Sequence, residues 1–534
     1  MIGRIICCLY FQFISLAIAA QVKIQSIPIH IANGTSIGIA GDLQSNQDIS
    51  GGGKIILNGT TIQGVDLSGN AISNLDINNS SGVNLTSNIK IDNNLQFTNG
   101  KININNNDLI FSETANVTGG NDLKYITTNG NGKVIKYINN NLTDFEIPIG
   151  NTNFRPIFLN TSGTYNNARV ALKSVDTSYT DKPLYIIDFL KNYWSVDQSG
   201  INGNLQVTAQ YNNNIDVNGN ADNLQGYYFD GSNWSSANCS SNLTTHQLTV
   251  SVSNSNGVIS GMNNFVYVGS RAYLQGAYNS STGLMDDKLR TPDSYLPLTD
   301  PYSTPNYANN FQHIHHLISE GIGNSVLSDQ TNDSNNIVDW IFLELRNQNT
   351  IGNSVLTTRS ALIQKDGDIV DTDGKSPVTF NYIPEGNYSL SIRHRNHLAI
   401  SLNPAFAMTL SENKSTAFTT NLIDLSTMPA NQIYGTSNGY TTGGHPLLNN
   451  IRLMWGGNTN GNNNVRYSGF LNDRANILTD LNNNENNTLN GYYRADLNMN
   501  GTSNYSNTDS DKIFLLQNVL NNSEIKIIQQ ELPQ

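Results

Sequence analysis

The chain has 534 residues, a formal net charge of -12, 37% hydrophobic residues and only 13% charged ones, about half the usual charged share. With 14 Pro and 44 Gly it is neither collagen-like nor a proline-rich spacer, and an acidic chain without basic runs has no electrostatic footprint for nucleic acid. Asn occupies 85 positions, a bias the fold must use or tolerate. The length predicts three or four domains at ~150 residues each.

Residues 1–20 place Arg4 before an apolar run and end in Leu16-Ala17-Ile18-Ala19-Ala20. This is the pattern of a cleaved signal peptide, and nothing after it approaches the ~20 apolar residues of a membrane span. The mature chain is therefore expected in the secreted or outer cell-surface compartment without a transmembrane span. Cys7 and Cys8 lie inside the signal, which leaves Cys239 alone. No intramolecular disulfide is then available, and Cys239, flanked by Ser and Asn, reads as a surface-loop thiol.

Within residues 21–115, the stretch between 50 and 112 carries apolar pairs at i, i+2, among them Ile55/Leu57, Val65/Leu67, Val83/Leu85, Ile89/Ile91 and Leu109/Phe111. Each pair reads as a very short strand facing one way. Three such strands make a coil of roughly twenty residues, which predicts a short parallel β-solenoid with Asn and Gly at its corners. From 116 to 270 the strands lengthen and alternate, predicting an antiparallel β-sandwich with Trp194 and Trp234 in its core. Residues 271–325, with Pro292, Pro297, Pro301 and Pro305, read as an irregular connector, and 326–430 as a second β-sandwich. The fold class is mainly β, closed by a small loop-helix module at 431–534.

That terminal module contains two similar segments. The first runs Gly457-Asn-Thr-Asn-Gly-Asn-Asn-Asn-Val, followed by Asn472-Asp473-Arg474; the second runs Ala495-Asp-Leu-Asn-Met-Asn-Gly-Thr, followed by Thr508-Asp509-Ser-Asp511. Oxygen donors at positions 1, 3 and 5, a nearby Gly and then a carboxylate entering a helix suit a hard cation such as calcium. The duplicated arrangement resembles a dockerin, a paired loop-helix calcium module. The ligand set is Asp496, Asn498 and Asn500 with Asp509 and Asp511 in the second loop, and Asn458, Asn460 and Asn462 with Asp473 in the first. Affinity follows ligand charge, so the second loop is expected to hold calcium and the first to be weak or vacant.

Other polar clusters carry less chemistry. Asp366, Asp368, Asp371 and Asp373 read as a solvated loop between strands, and Arg393-His-Arg-Asn-His397 as a basic knot that either meets an anionic glycan or pairs with that loop. His313-Ile-His315-His316 has the nitrogen density of a transition-metal site but no acidic neighbour in sequence, so it reads as an exposed patch. Gly34-Thr-Ser36-Ile-Gly38 matches a hydrolase nucleophile elbow in letters, without the helix that motif needs. Asn-Gly-Thr triplets at 33, 58 and 500 match glycosylation acceptors, as chance allows in so Asn-rich a chain.

Gly283-Leu-Met-Asp-Asp-Lys-Leu-Arg290 with Leu296-Pro-Leu-Thr-Asp-Pro-Tyr302, the span from Asp339-Trp to Arg393-His-Arg-Asn-His397, and the paired terminal loops together resemble secreted hemagglutinin-like, or adhesin-like, surface proteins of Bacteroidetes. The resemblance implies export, a non-catalytic role, and a glycan or a host or neighbouring-cell surface protein as partner. Two other readings stay open: a polysaccharide lyase or hydrolase built on the solenoid, where Asp66, Asp76, Asp92 and Asp108 are scattered, and a scaffold that binds a cohesin-like partner.

Overall fold

The protein is described by a computed structural model covering residues 21–252, 256–290, 294–315, 320–328, 333–348, 354–434, 445–530 and 532–533. The signal-peptide reading of residues 1–20, and His316, lie outside the described residues. The fold is mainly β, with only a few short helices, and none among the described residues is long and apolar enough to cross a membrane. The chain divides into two compact units, one of residues 1–182, 188–231 and 235–262 and one of 183–187, 232–234 and 263–534.

The first unit begins as a parallel solenoid. Short strands Val22–Ile24, Leu43–Ser45, Gln63–Asp66, Val83–Leu85, Ile102–Asn103, Ile126–Thr127 and Ile149–Gly150 stack in one parallel sheet, each beside the next. The second wall contains Lys54–Leu57, Ala71–Asn78, Ile89–Asn99, Leu109–Phe111 and Val134–Ile138, again in parallel register. Because side chains alternate across a strand, one residue of every two enters the coil. Val65, Val83, Leu85, Ile91 and Leu109 are thus at most 1% exposed. Parallel pairing runs past residue 115 to Ile149–Gly150.

Asn serves the corners mainly through its side chain. The Nδ2 group of Asn74 donates to the carbonyls of Gly51 and Gly53, that of Asn79 to Thr61, and those of Asn105 and Asn107 to Leu85. Each bond reaches back about one coil and satisfies a carbonyl that the short strands leave over. Of these four, only Asn105 also takes a left-handed backbone, φ 52°. Gly69, Gly82 and Gly100 fill other left-handed positions.

The solenoid passes directly into antiparallel sheet. Val134–Ile138 pairs antiparallel with Ile157–Val175, which pairs along its length with Tyr193–Gln210, and Gln247–Val252 and Asn256–Met262 continue from there. One hydrophobic core extends from Ile24 through Leu95 and Leu172 to Trp194 and Ile259. Trp234 is buried too, but groups with the second unit. Cys239 begins the strand Cys239–Asn242, half-buried against the core, and so is not the loop thiol expected. Ser36–Ile39 is a strand of the solenoid.

At the end of one aliphatic ladder, where Ile91 lies beside Phe111, the next position is Lys136. The residue is 1% exposed, and its ammonium group donates to the carbonyls of Ser112, Glu113 and Ala115 at 2.6, 2.9 and 2.9 Å. Burial pushes it down to about 8. The three donors of a lysine thereby close the last loop of the coil stack.

The second unit is built on an eight-stranded sheet centred on Ile337–Asn347, with Val355–Gln364 and Gly386–Arg393 antiparallel on either side. Residues 294–311 cover it. Tyr302 and Phe311 pack on Phe342, each with ring centres 5.5 Å away, and the Tyr302 hydroxyl donates to the Trp340 carbonyl.

Replacing Lys136 with Met keeps the length and removes the charge, yet leaves the Ser112, Glu113 and Ala115 carbonyls without their shared donor, those of Ser112 and Ala115 buried. Lys136→Met is expected to lower stability by about 1–3 kcal/mol in urea unfolding; an equal or higher stability contradicts the capping role.

Candidate functional site

The two terminal segments repeat one geometry at a constant offset of 38 residues (459 to 497, 466 to 504, 473 to 511). Thr459 and Arg466 donate their backbone N–H groups to the two oxygens of Asp473, both at 2.9 Å. Leu497 and Asn504 do the same to Asp511 at 2.7 and 2.9 Å. Asn472 caps the helix Asp473–Asp480, and Ser510 caps Asp511–Ile513, which runs on through Phe514–Val519. Arg474 sits 4.7 Å over the Tyr467 ring and Lys512 4.3 Å over Tyr505.

In the second loop the structure brings together four of the expected oxygen donors. Asp496 accepts from the N–H groups of Asn500 and Gly501, Asn498 from Asn500, and Asn500 from Thr502. The Asn500 amide also reaches Asp509 Oδ2 at 3.5 Å, and the Asn498 amide reaches the Asp509 carbonyl. The chain thus wraps the side-chain oxygens at 496, 498 and 500 around one turn, with Asp509 closing it.

Asp511 takes a different place from the one its spacing implies. Its two oxygens anchor backbone N–H groups behind the loop, because the helix that Ser510 caps turns the carboxylate inward. Asp473 is placed identically in the first loop. There, Asn460 and Asn462 direct their amides to the carbonyl of Leu471, which stands where the second loop has Asp509. Asn458 Oδ1 is buried and has no hydrogen-bond partner among the described residues.

Burial makes these carboxylates costly to ionise. Burial pushes Asp473 up to about 7 and Asp496 up to about 6, the latter despite the nearby Arg395 charge. Asp511 rises well above the usual carboxylate range, first through burial and then through the adjacent charge of Asp496.

The basic knot holds this module against the sheet. Asp339, fully buried on the central strand beside a register shift, accepts from Tyr492 Oη at 2.7 Å, and its other oxygen meets His394 Nε2 and Arg395 Nε, both at 3.0 Å. Arg395 also donates to the Tyr493 carbonyl and lies 4.4 Å over the Tyr492 ring. Asn396 donates to the Asp496 carbonyl at 2.6 Å, and its own carbonyl accepts from Gly457 and Asn458. One proton arrangement satisfies the histidines. Gly276 N–H donates to His397 Nε2, the His397 Nδ1–H faces both Asn396 Oδ1 and His394 Nδ1, at 2.8 and 3.0 Å, and His394 Nε2–H donates to Asp339.

The pairing expected between this knot and the acidic loop is therefore replaced by pairing with Asp339, and with Glu344, which Arg393 meets at 2.8 Å. The acidic loop is not simply solvated. Asp371 is buried and bound to Arg359 at 2.8 Å, Asp368 meets Arg271 at 2.6 Å, and Asp373 holds the N–H groups of Lys375 and Ser376. Asp368, which opens the strand Asp368–Val370, and Asp371, which follows its end, are thus bound to different arginines. His315 is exposed, but His313 is half-buried and does have an acidic neighbour, Asp300, 3.2 Å away. Asp339, which opens one of the resembling stretches, and Tyr492 have no site role in the sequence reading; the available signal for Asp339 is a lone carboxylate inside the apolar run Ile337-Val-Asp-Trp-Ile-Phe.

Burial holds His394 below the usual imidazole range even though Asp339 pulls it up, and His397 lies well below it, through burial first and then its neighbours His394 and Arg395. The folded chain keeps both neutral while the unfolded chain protonates them near pH 6.5. Their contribution to stability is thus complete above about pH 6.5 and is lost as the pH falls below it. His397→Gln keeps an acceptor for Gly276 and does not titrate. Its deficit relative to wild type, about 1 kcal/mol near pH 7.5, is expected to shrink near pH 5 in urea unfolding; a deficit independent of pH contradicts this.

Comparison with known family models, curated proteins and solved structures finds no match to this chain.

Proposed function

We propose that the chain is an exported, non-catalytic adhesin or structural protein of the hemagglutinin-like kind found in Bacteroidetes. In this reading calcium stabilises its terminal repeats, and it binds a glycan or a protein on a host or neighbouring cell. The observation that carries the proposal is the loop-helix unit repeated at a 38-residue offset (459 to 497, 473 to 511), with Asp496, Asn498, Asn500 and Asp509 gathered round the second turn. A hard divalent cation suits this oxygen set and would relieve the two adjacent buried carboxylates Asp496 and Asp511. The first loop has amides in the same places and Leu471 opposite them, which supports weaker binding there.

The solenoid supports a stalk. Its scattered acids each hold a local bond: Asp76 with Lys54 and Asp92 with Lys90, both at 2.9 Å, Asp66 with the Ser68 N–H and Asp108 with the Lys133 N–H. These are scaffold roles, which favours a structural use of the coils over polysaccharide cleavage.

Calorimetric titration of residues 21–534 with calcium is expected to release or absorb measurable heat and to raise the melting temperature. A calcium concentration 100-fold above Kd adds about 2.7 kcal/mol of stability. Asp496→Ala is expected to lose both effects; an absence of heat and shift in the wild type overturns the calcium proposal. Glycan-array and cell-binding assays, run with and without calcium, test the adhesive role. Polysaccharide cleavage that disappears in Asp66→Asn or Asp76→Asn contradicts the non-catalytic one.

A further inference from the structure

Away from the terminal loops, the irregular connector of the second unit brings three metal-ligating side chains to one place. Residues 298–300 and 320–322 run antiparallel, tied by Asp300 N–H to the Glu320 carbonyl at 3.0 Å and Ile322 N–H to the Leu298 carbonyl at 2.9 Å. Between them the chain loops out and returns His313 to the same spot. One ligand atom from each of Asp300, His313 and Glu320 lies within 4.8 Å of the others. Asp300 and Glu320 are 3% and 1% exposed, while the His313 side chain is 13% exposed and lies against Phe342 at 4.9 Å.

Both carboxylates are already oriented. Ser360 donates its N–H to Glu320 and its hydroxyl to Asp300, and Ser303 and the Tyr302 N–H also hold Asp300. Thr358 Oγ1 lies 3.1 Å from His313 Nδ1, which leaves Nε2 as the nitrogen that faces Asp300. A metal-binding histidine is commonly oriented by a second bond of this kind at its other nitrogen.

Arg359 lies beside this cluster: its guanidinium binds Glu320 and the buried Asp371 and also donates to the Thr379 carbonyl.

We propose that Asp300, His313 and Glu320 form a site for a first-row divalent metal of the zinc type, with His313 Nε2 and one oxygen of each carboxylate as ligands. One imidazole and two carboxylates suit zinc chemistry, with three protein ligands leaving a position for water; calcium instead takes six to eight oxygens. The site is separate from the terminal loops and does not depend on calcium binding there.

The test uses untagged, chelator-treated full-length protein and Co2+ as the probe. Stoichiometric Co2+ is expected to produce visible d–d absorption that Zn2+ abolishes by competition. His313→Gln is expected to remove this absorption and Asp300→Asn to weaken it, whereas Asp496→Ala leaves it unchanged. X-ray absorption at the zinc edge of the wild type, which needs no variant to fold, is expected to show one imidazole among oxygen ligands. No absorption in the wild type, the same absorption in a folded His313→Gln, or a zinc shell of oxygen alone overturns the proposal.

Discussion

The second unit depends on one buried carboxylate. Asp339 stands in the apolar run from Ile337 to Phe342 and receives a tyrosine hydroxyl, an imidazole and a guanidinium. Tyr492 and the carbonyl of Tyr493 belong to the lead-in of the second terminal loop, while His394 and Arg395 follow directly from the sheet strand Gly386–Arg393. Removing one member of such a buried pair leaves another charged and unpaired, at a cost of about 3–5 kcal/mol. The network therefore favours a single placement of the terminal repeats on the sheet. Asn396 extends it to the backbone of both loops, through Asp496 and through Gly457 and Asn458.

The abundance of Asn has two different physical uses. In the solenoid the amide works as a donor that reaches the carbonyl of the preceding coil, as Asn79 and Asn107 do, so a carboxylate cannot replace it there. In the terminal loops the amide oxygen also accepts from the backbone two residues on, as at Asn460, Asn462, Asn498 and Asn500, while the amide nitrogen donates across the loop to Leu471 or Asp509. Asp would serve the first of these roles and add charge, but not the second. The asymmetry between the loops thus comes down to Asn458 against Asp496 and Leu471 against Asp509.

Much of the fold was legible because a coil interior imposes a period of two on very short strands. Val83/Leu85 and Leu109/Phe111 announce it without help from distant residues. The passage from parallel to antiparallel pairing was not legible, since Val134–Ile138 has the same alternation whichever neighbour it takes, and in fact it takes one of each. Spacing also showed the duplicated loops, but not the direction of a side chain: Asp473 and Asp511 look like ligands by position and act as backbone anchors. Asp300 and Glu320 were invisible as partners of His313 because a turn of the connector, with no periodic pattern of its own, brings them together.

The account rests on Asp339 as the clamp between sheet and repeats, and hydrogen exchange in Asp339→Asn measures that directly. Amides of residues 456–467 and 493–505 are predicted to lose protection by at least tenfold, about 1.4 kcal/mol, while those of Val355–Gln364 on the far side of the central strand change little. Unaltered protection in the terminal repeats would contradict the clamp.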